Sequence, residues 1–104
     1  MKNLEKLQIF NELFLYYEKL LTDKQIECFS LYYLQDFSLT EIADTLNVSR
    51  NAVHDTLTKV AKYLVEYEEK LKLYENSVKR LKLIDDFLQT KDIKNINELR
   101  KMEE

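Results

Sequence analysis

The chain has 104 residues, 45% of them hydrophobic and 34% charged, which is the balance of one folded domain and excludes a disordered chain. It contains no glycine and no proline, so it lacks the residues of tight hairpins and of glycine-rich phosphate-binding loops, and an all-β fold is disfavoured. The net charge of −3 argues against indiscriminate nucleic-acid binding and leaves room only for a local basic patch.

Apolar residues at Leu4, Leu7, Ile9, Phe10, Leu13, Phe14, Tyr17, Leu20 and Leu21 follow helical spacing and predict an amphipathic helix over about 4–20, with Asn3 as its N-cap. Thr22-Asp23-Lys24-Gln25 has the form of a capping box and opens a second helix over about 23–35, with Ile26, Phe29, Tyr33 and Leu34 inward. Ser38-Leu39-Thr40-Glu41 is a second capping box and starts a short helix over about 39–46, with Leu39, Ile42, Ala43 and Leu46 on one face. Asn47 can end that helix in the left-handed conformation that glycine would otherwise take, and Ser49 caps the next one.

From Arg50 a long helical pattern runs through Val53, Leu57, Val60, Leu64, Tyr67, Leu71, Tyr74, Val78 and Leu81, spaced alternately four and three. This is a heptad seam. No glycine or proline breaks it, although Asn76-Ser77 can interrupt or cap. The pattern blurs through Ile84, Phe87 and Leu88, and Ile93, Ile96 and Leu99 support at most a short, frayed helix. The expected architecture is an all-α helix-turn-helix bundle of four to five helices with a long C-terminal helical segment. Residues 1–88 form a single domain, and 89–104 form a polar, flexible tail.

The segment 38–64 carries the functional signal. Two capped helices flank Asn47-Val48-Ser49, with Ala43 small enough for a close crossing and Val53 placed to pack back on the first helix. Ile42, Leu46, Val48 and Leu57 complete a small core, which is the helix-turn-helix arrangement. Ser49, Arg50, Asn51, His54, Asp55, Thr58, Lys59 and Lys62 then lie at or near the start of the second helix, off its buried stripe. Arg50 and Asn51 suit bidentate contacts to base edges, with His54 and Thr58 beside them, while Lys59 and Lys62 suit phosphates. The same helix pair also occurs in plain bundles. The charges of 38–62 cancel, and Asp55 would repel phosphate unless it pairs or accepts from cytosine.

The run LTDKQIECFSLYYLQDFSLTEIADTLNVSRNAVHDTLTKV is similar to region 4 of bacterial sigma-70-type factors in its capping-box start, its aromatic stretch, S-x-x-E-I-A and V-S-x-x-A-V. To about residue 88 the chain resembles the YlxM family of small bacterial helix-turn-helix proteins, through Phe14, Tyr16 and Tyr17, SLYYLQDFSLTEIA, NVSRNAVHD and YEEKL. That resemblance implies an all-helical, dimeric regulator connected with the signal recognition particle. In the family the turn near Leu71-Lys72-Leu73 often has a glycine, where this chain has Lys72.

Other residues have plainer uses. The distal seam (Leu71, Tyr74, Val78, Leu81) is free for a second subunit, or the seam packs on the first helix. Cys28 fits a small core position, and one Cys with one His forms neither an internal disulfide nor a zinc cluster. Glu68-Glu69 and Asp85-Asp86 point about 100° apart on a helix, so neither pair is a two-carboxylate site. Tyr32-Tyr33 offers a stacking pair for nucleic acid or a buried contact. No catalytic constellation, metal set, cofactor motif, signal peptide or membrane span is legible, so the expectation is a cytoplasmic protein that is not an enzyme and takes no small-molecule substrate. The expected partners are duplex DNA, a second copy, and the RNA or protein of the signal recognition particle. The alternative is an adaptor for that RNA or protein that does not read DNA.

Overall fold

The structure is a computed structural model and describes residues 4–104, with side chains from Glu5 onward. The Asn3 cap and the inward placement of Leu4 therefore fall outside the described residues. The fold is all-α. Six helices and no strand occur among the described residues: α1 (Leu4–Tyr17), α2 (Asp23–Phe29), α3 (Leu39–Leu46), α4 (Arg50–Leu71), α5 (Leu73–Thr90) and α6 (Ile93–Met102). A short 3-10 turn (Glu18–Leu20) extends α1, and a π-helical turn (Ser30–Leu34) extends α2. The chain forms two compact units, one ending at Lys70 and the other running from Leu71 to Glu104.

Both predicted capping boxes form. Gln25 N–H donates to Thr22 Oγ1 at 3.2 Å while Thr22 N–H donates to Gln25 Oε1 at 2.9 Å. Ser38 and Glu41 exchange the same two bonds at 3.1 Å each. Each box satisfies two of the backbone donors that a helix start leaves open.

The first unit buries Phe10, Leu13, Phe14 and Tyr17 of α1, Cys28, Phe29 and Leu31 that follow, Ile42 and Ala43 of α3, and Val53, Leu57, Val60 and Leu64 of α4. Its centre is aromatic: Phe14 stacks on Phe29 at 4.8 Å between ring centroids, and Phe29 stacks on Tyr33 at 4.3 Å. Each fully buried ring of this kind contributes about 1.5–3 kcal/mol from removed apolar surface. Leu34, expected inward, is exposed, and Ile26 is only half-buried. The π turn carries i→i−5 geometry, seen in Gln35 N–H to Ser30 C=O at 3.0 Å, and the wider turn shifts the facing of the residues that follow Phe29.

The long helix ends at Leu71. Lys72 adopts φ 53°, ψ 33°, a left-handed conformation that breaks the helical path between α4 and α5. The break falls at the position where the resemblance expects glycine, and Asn76-Ser77 lie inside α5. In the second unit α5 packs on α6, and the segment expected as a flexible tail holds a ten-residue helix. Asp92 caps α6 by accepting from Lys94 N–H at 3.0 Å, which the apolar spacing of 93, 96 and 99 does not reveal. A continuous heptad pattern cannot register one residue's change of φ, so the expected single domain of 1–88 is crossed by a unit boundary. No described helix is long and apolar enough to cross a membrane.

Candidate nucleic-acid interface

The turn between α3 and α4 is fixed by three local interactions. Asn47 sits at φ 55°, ψ 48°, the left-handed cap expected of it. Val48 N–H donates back to Ala43 C=O at 3.1 Å, which closes α3 in a Schellman-type turn. Ser49 Oγ accepts from Ala52 N–H at 3.0 Å and starts α4. Val53 and Leu57 are buried, as are Ile42 and Ala43 of α3, and the opposite face of α4 is left to solvent.

On that outer side Ser49, Arg50, Asn51, His54, Asp55, Thr58, Lys59 and Lys62 are all exposed. The fold brings these residues together along the first four turns of one helix. Two of their groups are partly committed: Ser49 Oγ is the cap, and the Thr58 hydroxyl donates to His54 C=O at 2.9 Å, so toward a ligand Thr58 offers only acceptor lone pairs. His54 Nδ1 lies 3.7 Å from Asp55 Oδ1, a solvent-exposed pair that contributes little stability. Glu41 and Asp44 of α3 are exposed as well, so the local charge stays balanced.

Two hollows flank α4. One, of about 210 Å³, lies between α2, the turn and α4, lined by Cys28, Leu46, Val48 and Val53 with Lys24 and Glu27 among its polar members. Val48, expected in the small core, is 47% exposed beside this opening. Burial pushes the Cys28 thiol above its ordinary range, with the Glu27 carboxylate adding to the effect, so it is held as a neutral thiol. The other hollow, of about 260 Å³, lies between the π turn and α4, where Tyr32 and Tyr33 meet His54, Leu57, Thr58 and Ala61, joined by Lys6 and Leu39. Sequence reasoning marked Tyr32-Tyr33 as a stacking pair but did not join it to the helix-turn-helix, because that meeting depends on the path of α2 and its π turn across α4.

In the second unit Leu71, Val78 and Leu81 are exposed and Tyr74 is half-buried. Leu73, Ile84 and Leu88 are exposed too, and neither α5 nor α6 contains a fully buried residue.

A model of the UPF0122 family, described as "Putative helix-turn-helix protein, YlxM / p13 like", matches residues 4–104, including the segment beyond residue 88. The chain is similar to a UPF0122 protein of Lactococcus lactis subsp. cremoris (strain MG1363), with 45% identity over 86 residues, or 83% of this chain and 78% of that one. It is similar to a UPF0122 protein of Streptococcus thermophilus (strain ATCC BAA-491 / LMD-9), with 43% identity and the same coverage, 83% and 78%. A UPF0122 protein of Streptococcus pyogenes serotype M5 (strain Manfredo) is 46% identical over 85 residues, or 82% of this chain and 75% of that one. With capped helices on both sides of the Asn47 turn and a family match that runs through both units, the chain belongs to the UPF0122 family of helix-turn-helix proteins.

Proposed function

We propose that this protein is a dimeric DNA-binding regulator that reads a major groove with the start of α4 and acts in connection with the signal recognition particle. The observation that carries the DNA reading is the exposure of Arg50 and Asn51 on the first turn of a helix braced by Ile42, Ala43 and the Asn47 turn. In a helix-turn-helix the second helix presents its N-terminal side chains to base edges. Arg50 suits guanine and Asn51 adenine, with His54 and Thr58 one turn further on. Lys59 and Lys62 reach for phosphates, and the first-turn N–H groups that Ser49 does not take up favour an anion.

Dimerisation is supported by the apolar side chains that the second unit leaves in solvent, among them Leu71, Val78 and Leu81, with Tyr74 beside them. A second copy would cover them. The link to the signal recognition particle rests on the resemblance to YlxM proteins carried by SLYYLQDFSLTEIA and NVSRNAVHD.

One observation favours a second reading. Asp55 stands exposed in the middle of the reading face, beside His54 at 3.7 Å, and the charges of 38–62 cancel. An adaptor that contacts the RNA or protein of the particle, without reading DNA, fits that surface.

The deciding experiment is fluorescence anisotropy of purified protein with a labelled duplex from its genomic neighbourhood and with signal recognition particle RNA. Duplex affinity that falls steeply with salt and with Arg50→Ala supports the regulator. Duplex binding untouched by Arg50→Ala, Lys59→Ala and Lys62→Ala, or RNA binding alone, moves the function to the adaptor.

A further inference from the structure

The groove between the π turn and α4 has the composition of a site for a planar ligand. Tyr32 and Tyr33 come from Ser30–Leu34, a π-helical turn, and turns of this kind are rare and often occur at functional sites. The tyrosines are held by packing from behind. Tyr33 stacks on Phe29 at 4.3 Å, Phe29 stacks on Phe14 at 4.8 Å, and Tyr32 meets Tyr33 edge-on at 4.9 Å. A platform fixed in this way loses little conformational entropy when a ring is laid against it.

Both tyrosines are only half-buried beside an open groove, whereas the fully buried members of the same stack are phenylalanines. Burial raises the Tyr33 phenol, with the neighbouring Tyr32 adding to it, so its hydroxyl stays protonated and able to donate. From α4 the groove receives His54 and Thr58, and Thr58, whose proton is committed to His54 C=O, accepts. Lys6 supplies positive charge at the α1 side, where its Nζ lies 5.8 Å from the Phe10 ring centroid. The volume of about 260 Å³ is below the range of drug-sized pockets, roughly 300–1,000 Å³, and suits one nucleoside.

We propose that this groove seats an unpaired nucleobase beside the reading helix, so that the protein engages nucleic acid where a duplex gives way to single strand. The base lies against the tyrosines, with Leu57 and Ala61 as its apolar contacts and Lys6 toward the adjoining phosphate. His54 and Thr58 belong to both the groove and the reading face, which makes the two surfaces continuous. The proposal deepens the nucleic-acid reading in its ligand class, but the groove can be tested whether or not a blunt duplex binds.

The test is anisotropy titration of the full chain with three labelled probes: a blunt duplex, the same duplex with a four-nucleotide overhang, and the overhang strand alone. The single-stranded parts are made as DNA and as RNA to tell the two sources apart. The overhang should tighten binding roughly ten- to hundredfold, the gain expected of one or two stacked bases. Tyr32→Ala should remove that gain and leave blunt-duplex affinity unchanged, while Tyr32→Phe keeps it. Lys6→Ala, at an exposed position that leaves the core intact, should lower the overhang gain and its salt dependence. Equal affinity for overhang and blunt duplex with no binding of the single strand overturns the groove and leaves the duplex reading standing. Single-strand binding lost in Tyr32→Ala, without blunt-duplex binding, upholds the groove and overturns the duplex reading. An overhang gain that survives both Tyr32→Ala and Lys6→Ala overturns the groove.

Discussion

The phenolic hydroxyl of Tyr17 donates a 2.6 Å hydrogen bond to Oε1 of Glu68, joining residues 51 apart in the chain. Tyr17 is wholly buried, and its ring also meets that of Tyr67 at 5.9 Å. One buried polar group thus ties the end of α1 to the last turns of α4, the helix whose other end carries the proposed reading face. Removing the hydroxyl while keeping the ring deletes one bond to a carboxylate. Tyr17→Phe should therefore cost about 1.5–3 kcal/mol in urea denaturation. Glu68→Gln, which keeps an acceptor, should cost less, and equal losses in the two variants would contradict this account.

Lys72 carries a Cβ in the left-handed region at φ 53°, with its C=O still accepting from Asn76 N–H at 2.9 Å. Glycine has no steric penalty there. Lys72→Gly should raise stability by about 0.5–1 kcal/mol in spite of its greater unfolded-state entropy, and Lys72→Val should lower it. Thermal unfolding of the three proteins checks the order.

Leu81 is 57% exposed on α5, so its replacement leaves the core of a single chain untouched. Leu81→Asp should convert a dimer to a monomer in sedimentation equilibrium, with the helical content unchanged by circular dichroism. A wild-type protein that is monomeric at micromolar concentration would remove the dimer from the proposal.

Arg50, Lys59 and Lys62 are the exposed cations of the proposed reading face, on the first four turns of α4. In a dimer they offer about six phosphate or base contacts, for which duplex affinity should fall roughly 10³-fold between 50 and 200 mM salt. Arg50→Ala should cost about 1–3 kcal/mol of specific binding if it reads a base. Lys62→Ala should weaken all duplexes alike and flatten the salt slope.

Cys28 is raised from an ordinary value of 9.0 by burial, and Tyr33 is raised from 10.0 for the same first reason. For both groups the folded chain holds its proton more tightly than the unfolded chain does. Their contribution to stability is therefore complete below the unfolded-state values and is lost as pH rises through the folded ones. Denaturation midpoints should fall above about pH 9, and Cys28→Ala should lessen the fall. The thiol should also react slowly with alkylating reagents at neutral pH, at a rate set by opening of the fold.

Much of this protein is written in short stretches of chain. A capping box needs only residues three apart, so Thr22 with Gln25 and Ser38 with Glu41 are legible without any tertiary information, as are the Asn47 cap and the inward stripe from Val53 to Leu64. The outward set from Arg50 to Lys62 follows from that stripe by helical periodicity alone. The all-α class follows from the absence of glycine and proline together with this pattern.

The tertiary structure decided what depends on the path between elements. The π turn after Phe29 turns Leu34 outward and joins Tyr32 and Tyr33 to α4, a meeting that spans more than twenty positions of sequence. The Lys72 break depends on a single φ that a residue other than glycine adopts only where its surroundings favour it, and apolar spacing runs through it unchanged. The α6 helix rests on the Asp92 cap and on packing against α5, both weak in composition and visible only once the two helices lie together. Helix periodicity is a local property and can be read from the chain, whereas where a helix bends, and which side chains then share a groove, is settled by packing between residues far apart in sequence.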